Sequence, residues 1–256
     1  MEYGLQPSET GVYDGFAYQL WLPNDRGPRP AVLILHGAGS QKENHADFAR
    51  VAAGQGFVAL TFDNRGHGET EGELGPRTIT EIGRLVRFVA GRPEVDDQQI
   101  ALRGSSMGGL MAIHVAAVTP QAAAVIAICP ASERMLLGDV RGAAEGKPPR
   151  PGSAIASMRI DAPGLAAWLE EHDVRQAVEL LGDKPLMLIH ARDDEVIPYK
   201  FSDELYECAA DPRRLLLLAG GDHRSAQHDS EVQGESLRWI ALKMRQAKAA
   251  ATETRR

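Results

Sequence analysis

The sequence has too few cysteines and no apolar run long enough for a disulfide-bonded or membrane-spanning protein. Of its 256 residues only Cys129 and Cys208 are cysteines, which is too few for a disulfide framework and is typical of a reducing compartment. The longest apolar runs, such as Ala122–Cys129, are far shorter than the roughly 20 residues of a membrane-spanning helix. The start, Met1–Thr10, is polar and lacks the charged and apolar regions of a signal peptide. These absences predict a cytoplasmic protein with no membrane partner.

The sequence also lacks the charge and ligand patterns of nucleic-acid-binding and metal-binding proteins. The formal net charge is −7 and the basic residues are scattered, so we expect no nucleic-acid partner. No spacing of histidine, aspartate and glutamate fits a closed metal site, and we expect neither a metal nor a cofactor. Apolar residues make up 43% of the chain and charged residues 25%, which allows a full globular core. The oligomeric state stays open.

Short apolar runs alternate with longer helical patterns, and the runs are continuous, as is typical of strands buried on both faces of a parallel sheet. The runs are Ala31–Leu35, Phe57–Phe62, Gln99–Leu102, Ala124–Ile128, Leu186–Ile189 and Leu215–Leu218. The helical patterns are Ala46–Ala53, Ile79–Val89, Met107–Ala117, Ser202–Ala209 and Glu231–Lys248. Two further runs, Val12–Tyr13 and Phe16–Leu22, flank Asp14-Gly15 and predict an N-terminal antiparallel hairpin. The alternation predicts a doubly wound α/β fold.

One long segment interrupts this alternation. Residues 131–183 separate two predicted strands and contain a Gly/Pro-rich stretch, Gly142–Gly152, and an amphipathic helix around Leu165–Leu181. A connection of about fifty residues inside a compact domain is typical of a lid or an insertion. We therefore predict a core domain formed by residues 1–130 and 184–256, with residues 131–183 as a cap.

The residues from Gly104 to Gly108 fit the pattern Gly-x-Ser-x-Gly with Ser106 at its centre. An apolar run precedes them and a helical pattern follows, which is the context of a nucleophile elbow. Such a turn is so tight that only glycine fits two residues before and after the serine, whose backbone is strained and whose hydroxyl is exposed. A Gly/Ser loop that merely opens a helix is the alternative. The context favours Ser106 as a catalytic nucleophile at a helix N-terminus.

A second glycine-rich loop, residues 36–40, follows the run that ends at Leu35. Backbone N–H groups in such a loop can stabilise an oxyanion. We predict that the N–H of Ala38 is one donor and that of Met107, next to the nucleophile, is the other. The alternative is a strand-end turn that needs glycine for its dihedral angles. His36 is expected to bond within the loop rather than to act as a base.

A third loop, residues 63–70, is charged and also follows a predicted strand. Its Asp63, Arg65 and His67 have the residue types of an acid–base cluster. Charged loops beside active sites are often held by internal ion pairs and hydrogen bonds. We assign these three residues to loop architecture.

The last two predicted strands end near candidates for a general base and its carboxylate partner. Asp193 and Asp194 follow one of these strands and His223 follows the other, so the order Ser…Asp…His matches the triad order of α/β enzymes with an elbow serine. His223 would accept the serine proton, and the carboxylate would fix the imidazole tautomer. His228 is a rival, although it lies further from the strand end. The histidines without a suitable partner in the pattern are His45, His114, His172 and His190.

Five blocks together resemble the α/β-hydrolase superfamily. They are His-Gly-x-Gly at 36–39, Asp-x-Arg-Gly-His-Gly at 63–68, Gly-x-Ser-x-Gly-Gly at 104–109, the segment His190…Asp194…Pro198, and Gly-x-x-His at 220–223. The resemblance covers nearly the whole chain except residues 131–183. It implies an eight-stranded, mostly parallel sheet with the active site above its carboxyl ends and a small cap over that site. The chain is most similar to small bacterial carboxylesterases and dienelactone-hydrolase-like enzymes, although dienelactone hydrolases proper have cysteine in place of Ser106.

The resemblance implies a cofactor-free serine esterase that acts on a small-molecule ester of a short to medium acid through an acyl-enzyme. Ser106 would be the nucleophile, His223 the base and Asp194 the acid. Asp194 is preferred to Asp193 because the family acid usually lies four residues before a proline, here Pro198. A peptidase, amidase or thioesterase would use the same triad. A non-catalytic ligand-binding protein on this scaffold is a further alternative.

Overall fold

The computed structural model describes residues 6–25 and 27–254, so residues 1–5 of the predicted polar start lie outside the described part. From the third strand onward, strands and helices alternate along the chain. In the described ranges no helix combines the length and the apolar character that a membrane crossing requires.

Within the described residues, eight strands form one sheet in the order β1-β2-β4-β3-β5-β6-β7-β8. The strands are β1 Glu9–Tyr13, β2 Phe16–Trp21, β3 Arg29–Leu35, β4 Val58–Phe62, β5 Val95–Ser105, β6 Ala122–Ile128, β7 Leu186–Ala191 and β8 Arg213–Leu218. β2 pairs antiparallel with β1 and β4, and the other neighbours are parallel. The predicted hairpin turn is present, with positive φ at Asp14 and Gly15. The mostly parallel eight-stranded fold is confirmed.

The α-helices follow the predicted pattern in the core and add structure between β6 and β7. They are α1 Ala46–Gly54, α2 Thr78–Ala90, α3 Met107–Val118, α4 Glu133–Ala144, α5 Ala162–Glu171, α6 Val174–Glu179, α7 Lys200–Cys208, α8 Ser225–His228 and α9 Ser230–Thr254. Short 3₁₀ turns precede α1 and α5 at Lys42–His45 and Ala154–Ser157.

The alternation of side chains along β3 shows how the sheet is covered on both faces. Leu33 and Leu35 belong to a hydrophobic cluster shared with α2, α3, α6 and α7. Val32 and Ile34 belong to a second cluster shared with α1 and α9. All four side chains are buried. Burial on both faces explains why the strand sequences are continuous apolar runs.

The segment between β6 and β7 differs from its prediction in detail. The prediction of a single helix around Leu165–Leu181 is wrong, because two non-helical residues separate α5 from α6. His172 is extended, and the Asp173 carboxylate accepts the Arg175 N–H at 2.8 Å and so caps α6. Helix α4 was not predicted at all. These helices share the first hydrophobic cluster with the core, and the division into core and cap stays a prediction.

A buried polar contact ties α3 to these helices. His114 Nε2 lies 2.5 Å from Glu133 Oε1, and Glu133 Oε2 accepts the Val174 N–H at 3.1 Å. The Trp168 ring meets the His114 ring edge-on and stacks on His172. The expectation that His114 has no suitable partner is therefore wrong. Its partner lies at the start of the unpredicted α4.

Candidate active site

Ser106 occupies the turn between β5 and α3, at the carboxyl edge of the sheet. Its φ of 54° and ψ of −122° are strained for a residue other than glycine. The Ser106 N–H donates to the Ile128 carbonyl at 2.9 Å. The Ser106 carbonyl accepts the N–H groups of Gly109 and Ala131 at 2.9 and 3.1 Å. Contacts on both sides therefore hold the strained turn.

Two glycines allow this turn to pack. A Cβ atom at Gly104 would lie 2.0 Å from the Gly108 carbonyl oxygen. A Cβ atom at Gly108 would lie 2.2 Å from the Leu35 carbonyl oxygen. Both distances are shorter than any real Cβ contact, so the two glycines of the pattern are required by close backbone packing.

The glycine-rich loop after β3 lies against the serine. A Cβ atom at Gly37 would be 3.3 Å from the Ser106 Cβ. Ala38 and Met107 line the same apolar cavity, and Met107 is the first residue of α3. The N–H groups of a first helical turn have no partner within the helix, so they are available to an anion. The roles of Ala38 and Met107 as oxyanion donors stay predictions.

Two neutral histidines shape this loop from beneath. His36 is fully buried, its Nδ1 donates to the Gly37 carbonyl at 2.7 Å, and its Nε2 accepts the Asn64 N–H at 2.9 Å. Burial lowers the pKa of His36 to about 4. His67 Nε2 accepts the Gly39 N–H at 3.1 Å. The two imidazoles therefore hold the glycine-rich loop in place through hydrogen bonds. This confirms the expectation that His36 bonds within the loop.

Asp63 and Arg65 also work as loop architecture. The Asp63 carboxylate accepts the Lys42 N–H at 2.8 Å, the Lys42 ammonium at 2.9 Å and the Glu69 N–H at 2.9 Å. Burial would raise the pKa of Asp63, but these hydrogen bonds outweigh it and the pKa is lowered. Arg65 donates to Glu81 at 2.9 Å. The charged loop after β4 thus anchors the glycine-rich loop beside Ser106.

The structure brings His223 and Asp194 together. His223 Nδ1 lies 2.7 Å from Asp194 Oδ2, and the Asp194 side chain is 0% exposed. Asp194 Oδ1 accepts the N–H groups of Val196 and Ile197, each at 2.8 Å. Burial would raise the pKa of Asp194, but the Ile197 N–H, His223 and the Val196 N–H outweigh it, so the pKa is lowered. The carboxylate stays charged and fixes the tautomer of His223 with Nε2 free to accept a proton.

Asp193 has a different environment from its neighbour. Its side chain is exposed, and in the part of the chain that the structure describes it makes no hydrogen bond or ion pair. Asp194 points into the protein toward His223, whereas Asp193 lies near Gly220 on the outside. The geometry therefore pairs His223 with Asp194 and not with Asp193.

A second histidine supports Asp194 from inside the fold. His190 Nε2 lies 2.9 Å from the Ile197 carbonyl and 3.2 Å from Asp194 Oδ2. Since a carbonyl only accepts, Nε2 carries the proton, and Nδ1 then accepts from the Ser202 hydroxyl at 2.7 Å. The expectation that His190 has no suitable partner is wrong. Its partner stands four residues further along the same motif.

Three residues bring possible metal ligands within 4.8 Å of one another, namely Cys129, His190 and Asp194. This spacing would allow all three to bind one metal ion. Both His190 nitrogens and both Asp194 oxygens are hydrogen-bonded. Burial raises the pKa of the Cys129 thiol, which opposes formation of the thiolate that a metal needs. The group therefore fits a hydrogen-bonded shell around Asp194 better than a metal site.

The rival His228 also has a carboxylate. Its Nδ1 lies 2.9 Å from Asp47 Oδ2, and these side chains are 44% and 36% exposed. Gln233 donates to the same Asp47 oxygen at 2.9 Å. Asp47 lies far back in the sequence on α1, so no local pattern could have predicted this pair. Asp47 is more exposed than Asp194, and one backbone N–H, that of Phe48, helps to lower its pKa, whereas Asp194 accepts two backbone N–H groups.

Ser106, His223 and His228 line one polar cavity of about 400 Å³. In the described residues no hydrogen bond joins the Ser106 hydroxyl to either imidazole, and such bonds are often long before substrate is bound. A smaller apolar cavity of about 80 Å³ lies under the helices between β6 and β7. Ala38 lines both cavities, so they adjoin at the glycine-rich loop.

Comparisons with known proteins agree with this architecture. The model of the family described as serine aminopeptidase, S33, matches residues 26–143. YfhR of Escherichia coli strain K12 is 26% identical over 234 residues, which is 89% of this chain and 76% of that protein. The 2,6-dihydropseudooxynicotine hydrolase of Paenarthrobacter nicotinovorans is 27% identical over 221 residues, which is 83% of this chain and 58% of that enzyme.

Solved structures share the fold at low sequence identity. The α/β hydrolase GrgF of Penicillium sp. sh18 has a TM-score of 0.73 at 20% identity, with 90% of this chain and 94% of that chain covered. Est1E of Butyrivibrio proteoclasticus has a TM-score of 0.72 at 22% identity, with 92% and 98% covered. Since the eight-stranded sheet, the serine elbow at its carboxyl edge and these likenesses agree, the chain has the α/β-hydrolase fold.

Proposed function

We propose that this chain is a serine esterase that cleaves small carboxylic esters of short to medium acids through an acyl-enzyme. Ser106 is the nucleophile, His223 the general base and Asp194 its orienting carboxylate. The observation that carries the proposal is the contact of the buried Asp194 carboxylate with His223, which lines the same cavity as the elbow serine. The proposed substrate is a dissolved small molecule, without a nucleic-acid or membrane partner, and the proposed location is the cytoplasm.

The proposed reaction has two steps. Ser106 Oγ attacks the ester carbonyl while His223 Nε2 takes its proton, and the oxyanion is held by the N–H groups of Ala38 and Met107. His223 then gives the proton to the leaving alcohol, and the carbonyl re-forms as an acyl-serine. Water attacks the acyl-serine with His223 again as base, and the acid and free Ser106 result. Asp194 stabilises the imidazolium in both steps.

The relatives favour hydrolysis but leave the leaving group open. GrgF and the 2,6-dihydropseudooxynicotine hydrolase are both named as hydrolases, whereas the matching family model is described as an aminopeptidase. An amidase, peptidase or thioesterase would attack the same carbonyl with the same triad. A non-catalytic binding protein would not need a buried carboxylate aimed at a histidine beside an elbow serine.

Two experiments test the proposed activity. A fluorophosphonate should label the protein at Ser106, because the oxygen of an activated serine displaces fluoride from phosphorus and forms a phosphonyl-serine, whereas ordinary serines are spared. A panel of p-nitrophenyl esters, with amides and thioesters of the same acids, should show the esters cleaved with the highest kcat/KM. Absence of both labelling and hydrolysis would refute the esterase, and faster amide cleavage would replace it by an amidase.

Asp194→Asn should lower kcat by about 10⁴-fold, because the amide favours the wrong tautomer of His223. Asp193→Asn is the matched control, since it makes the same change one residue earlier on an exposed side chain. We expect that control to keep kcat within about threefold of the wild type, as surface changes usually do. Steady-state kinetics with one p-nitrophenyl ester measures both variants. The opposite ranking would show that Asp193 is the triad acid.

Short acyl chains should be preferred. A cavity of about 150 Å³ holds one benzene ring, so the apolar cavity of about 80 Å³ has room for about three carbons. Each buried methylene gains about 0.8 kcal/mol only while such room remains. We expect kcat/KM to peak near butyrate and to fall for longer chains, with no activation at an oil–water interface. A steady rise to acyl chains of about sixteen carbons would contradict this.

A further inference from the structure

The two cavities beside Ser106 have opposite chemical character. The small cavity is lined mainly by apolar side chains from α3 and from the segment between β6 and β7, namely Leu110, Met111, Leu136, Met158, Leu165 and Trp168. The larger cavity is lined by hydrogen-bonding side chains from the segments that follow β3 and β8, namely Ser40, Asn44, His45, Arg224, Gln227 and His228. A substrate held across Ser106 therefore meets one apolar and one polar wall.

The position of His223 decides which part of the substrate each cavity receives. In the proposed mechanism His223 must give its proton to the oxygen of the leaving group, so the leaving group has to lie on the His223 side. His223 lines the polar cavity and not the apolar one. Met107, whose N–H is a predicted oxyanion donor, lines the apolar cavity. The acyl chain therefore belongs in the apolar cavity and the leaving group in the polar one.

The polar cavity has a net positive wall. Among the described residues that line it, Arg224 is the one arginine, and there is no lysine, aspartate or glutamate. Arg224 is exposed and forms no ion pair in the described part of the chain. His45 adds no charge, because burial lowers its pKa to about 3. His228 faces Asp47, which does not itself line the cavity.

Two carboxylates, Asp222 and Glu195, lie near Arg224, and neither lines the polar cavity. Asp222 accepts the N–H groups of Arg224 and Ser225 at 3.0 and 2.8 Å. Glu195 accepts the His223 N–H at 3.2 Å. The Arg224 guanidinium thus remains the charged donor at the wall where a leaving group would sit.

We propose that the substrate is an ester of a small apolar acid with a polar, negatively charged leaving group, and that Arg224 binds that negative charge. The assignment rests on the proposed esterase activity and adds its substrate class. The recognised chemistry is an anion such as a carboxylate on the alcohol half of the ester.

The test compares three butyrate esters that differ only in remote charge. Their alcohols are 3-(4-hydroxyphenyl)propanoate, its primary amide, and 4-(2-aminoethyl)phenol. The two-carbon spacer keeps the reactivity of the phenol nearly equal, so differences in kcat/KM report binding of the charge. At low ionic strength we expect the anionic ester to be preferred over the ammonium ester by about tenfold, which corresponds to a charge contact at a wet surface.

Two variants separate the two cavities. Arg224→Glu should invert the preference between the anionic and ammonium esters, and Arg245→Glu, the control with the same change in net charge on α9, should leave it unchanged. Trp168→Ala should move the best acyl length upward by about two carbons and leave the charge preference as in the wild type. If the Trp168→Ala variant folds poorly, Met158→Ala, which also enlarges the apolar cavity, should likewise raise the best acyl length and leave the charge preference unchanged. Ratios measured within each variant cancel any general effect on His223.

Each result has a definite consequence. The role of Arg224 would be overturned if the wild type cleaved the anionic and ammonium esters equally well. It would also be overturned if the Arg224→Glu and Arg245→Glu variants showed the same preference between these two esters. A charge preference that responds to Trp168→Ala, with acyl length responding to Arg224→Glu, would reverse the two cavities. Hydrolysis of the neutral ester in those cases would leave the esterase intact. No hydrolysis of any ester and no fluorophosphonate labelling would overturn both.

Discussion

Ser106→Ala is expected to remove nearly all turnover and to leave the fold intact. Loss of a triad nucleophile costs on the order of a million-fold in kcat, because serine and histidine act as one unit. The substitution deletes one oxygen from the cavity wall and keeps the backbone contacts that hold the turn. Circular dichroism and the melting temperature should therefore match those of the wild type.

Ser105→Ala is the matched control for this experiment. It makes the same change one residue earlier, at the end of β5, and Ser105 has no role in the proposed chemistry. We expect this variant to keep its fluorophosphonate label and most of its turnover, whereas Ser106→Ala loses both. A purified Ser106→Ala enzyme that kept more than about a hundredth of the wild-type rate would show that the nucleophile is another residue, since the oxyanion hole alone supports far less.

The parts of the fold and site that the sequence predicted are those with local causes. The elbow was predictable because Gly104 and Gly108 are demanded by contacts within a few residues of Ser106 and with one neighbouring strand. The strands were predictable because burial on both faces leaves continuous apolar runs, as in β3 and β4. The role of the loop after β4 followed from its charged residues, although their partners did not.

The parts that the sequence did not predict depend on contacts between distant segments. Lys42 anchors Asp63 across 21 positions, and Asp47 pairs with His228 across 181. Neither lysine nor aspartate is distinctive in a loop or a helix, so the sequence offers no signal for such pairs. The break before α6 is a local cap at Asp173, and the spacing of the apolar residues before and after it resembles that of one continuous helix. Helix α4 lacks a strong apolar pattern because Glu133 and Val140 are its only buried residues.

The structure distinguishes the two candidates for the general base, His223 and His228, by their carboxylate partners. The sequence ranked His223 above His228 by its distance from the strand end and by the Gly-x-x-His block at 220–223. The structure gives each histidine a carboxylate within hydrogen-bonding distance and places both on the wall of the cavity with Ser106. What separates them is the carboxylate, because Asp194 is buried with two backbone donors whereas Asp47 is one-third exposed.

His223→Ala should therefore be about as damaging as Ser106→Ala, with a loss on the order of a million-fold in kcat. A buried carboxylate in a less polar setting stabilises the imidazolium of the transition state more strongly than an exposed one, since solvent screens the exposed pair. His228→Ala is the matched control, and we expect it to change kcat by less than about tenfold. Both variants are measured with the same p-nitrophenyl ester at saturating concentration. A dead His228→Ala enzyme beside an active His223→Ala enzyme would transfer the role of base to the pair His228–Asp47, and Asp47→Asn would then lose activity where Asp194→Asn keeps it.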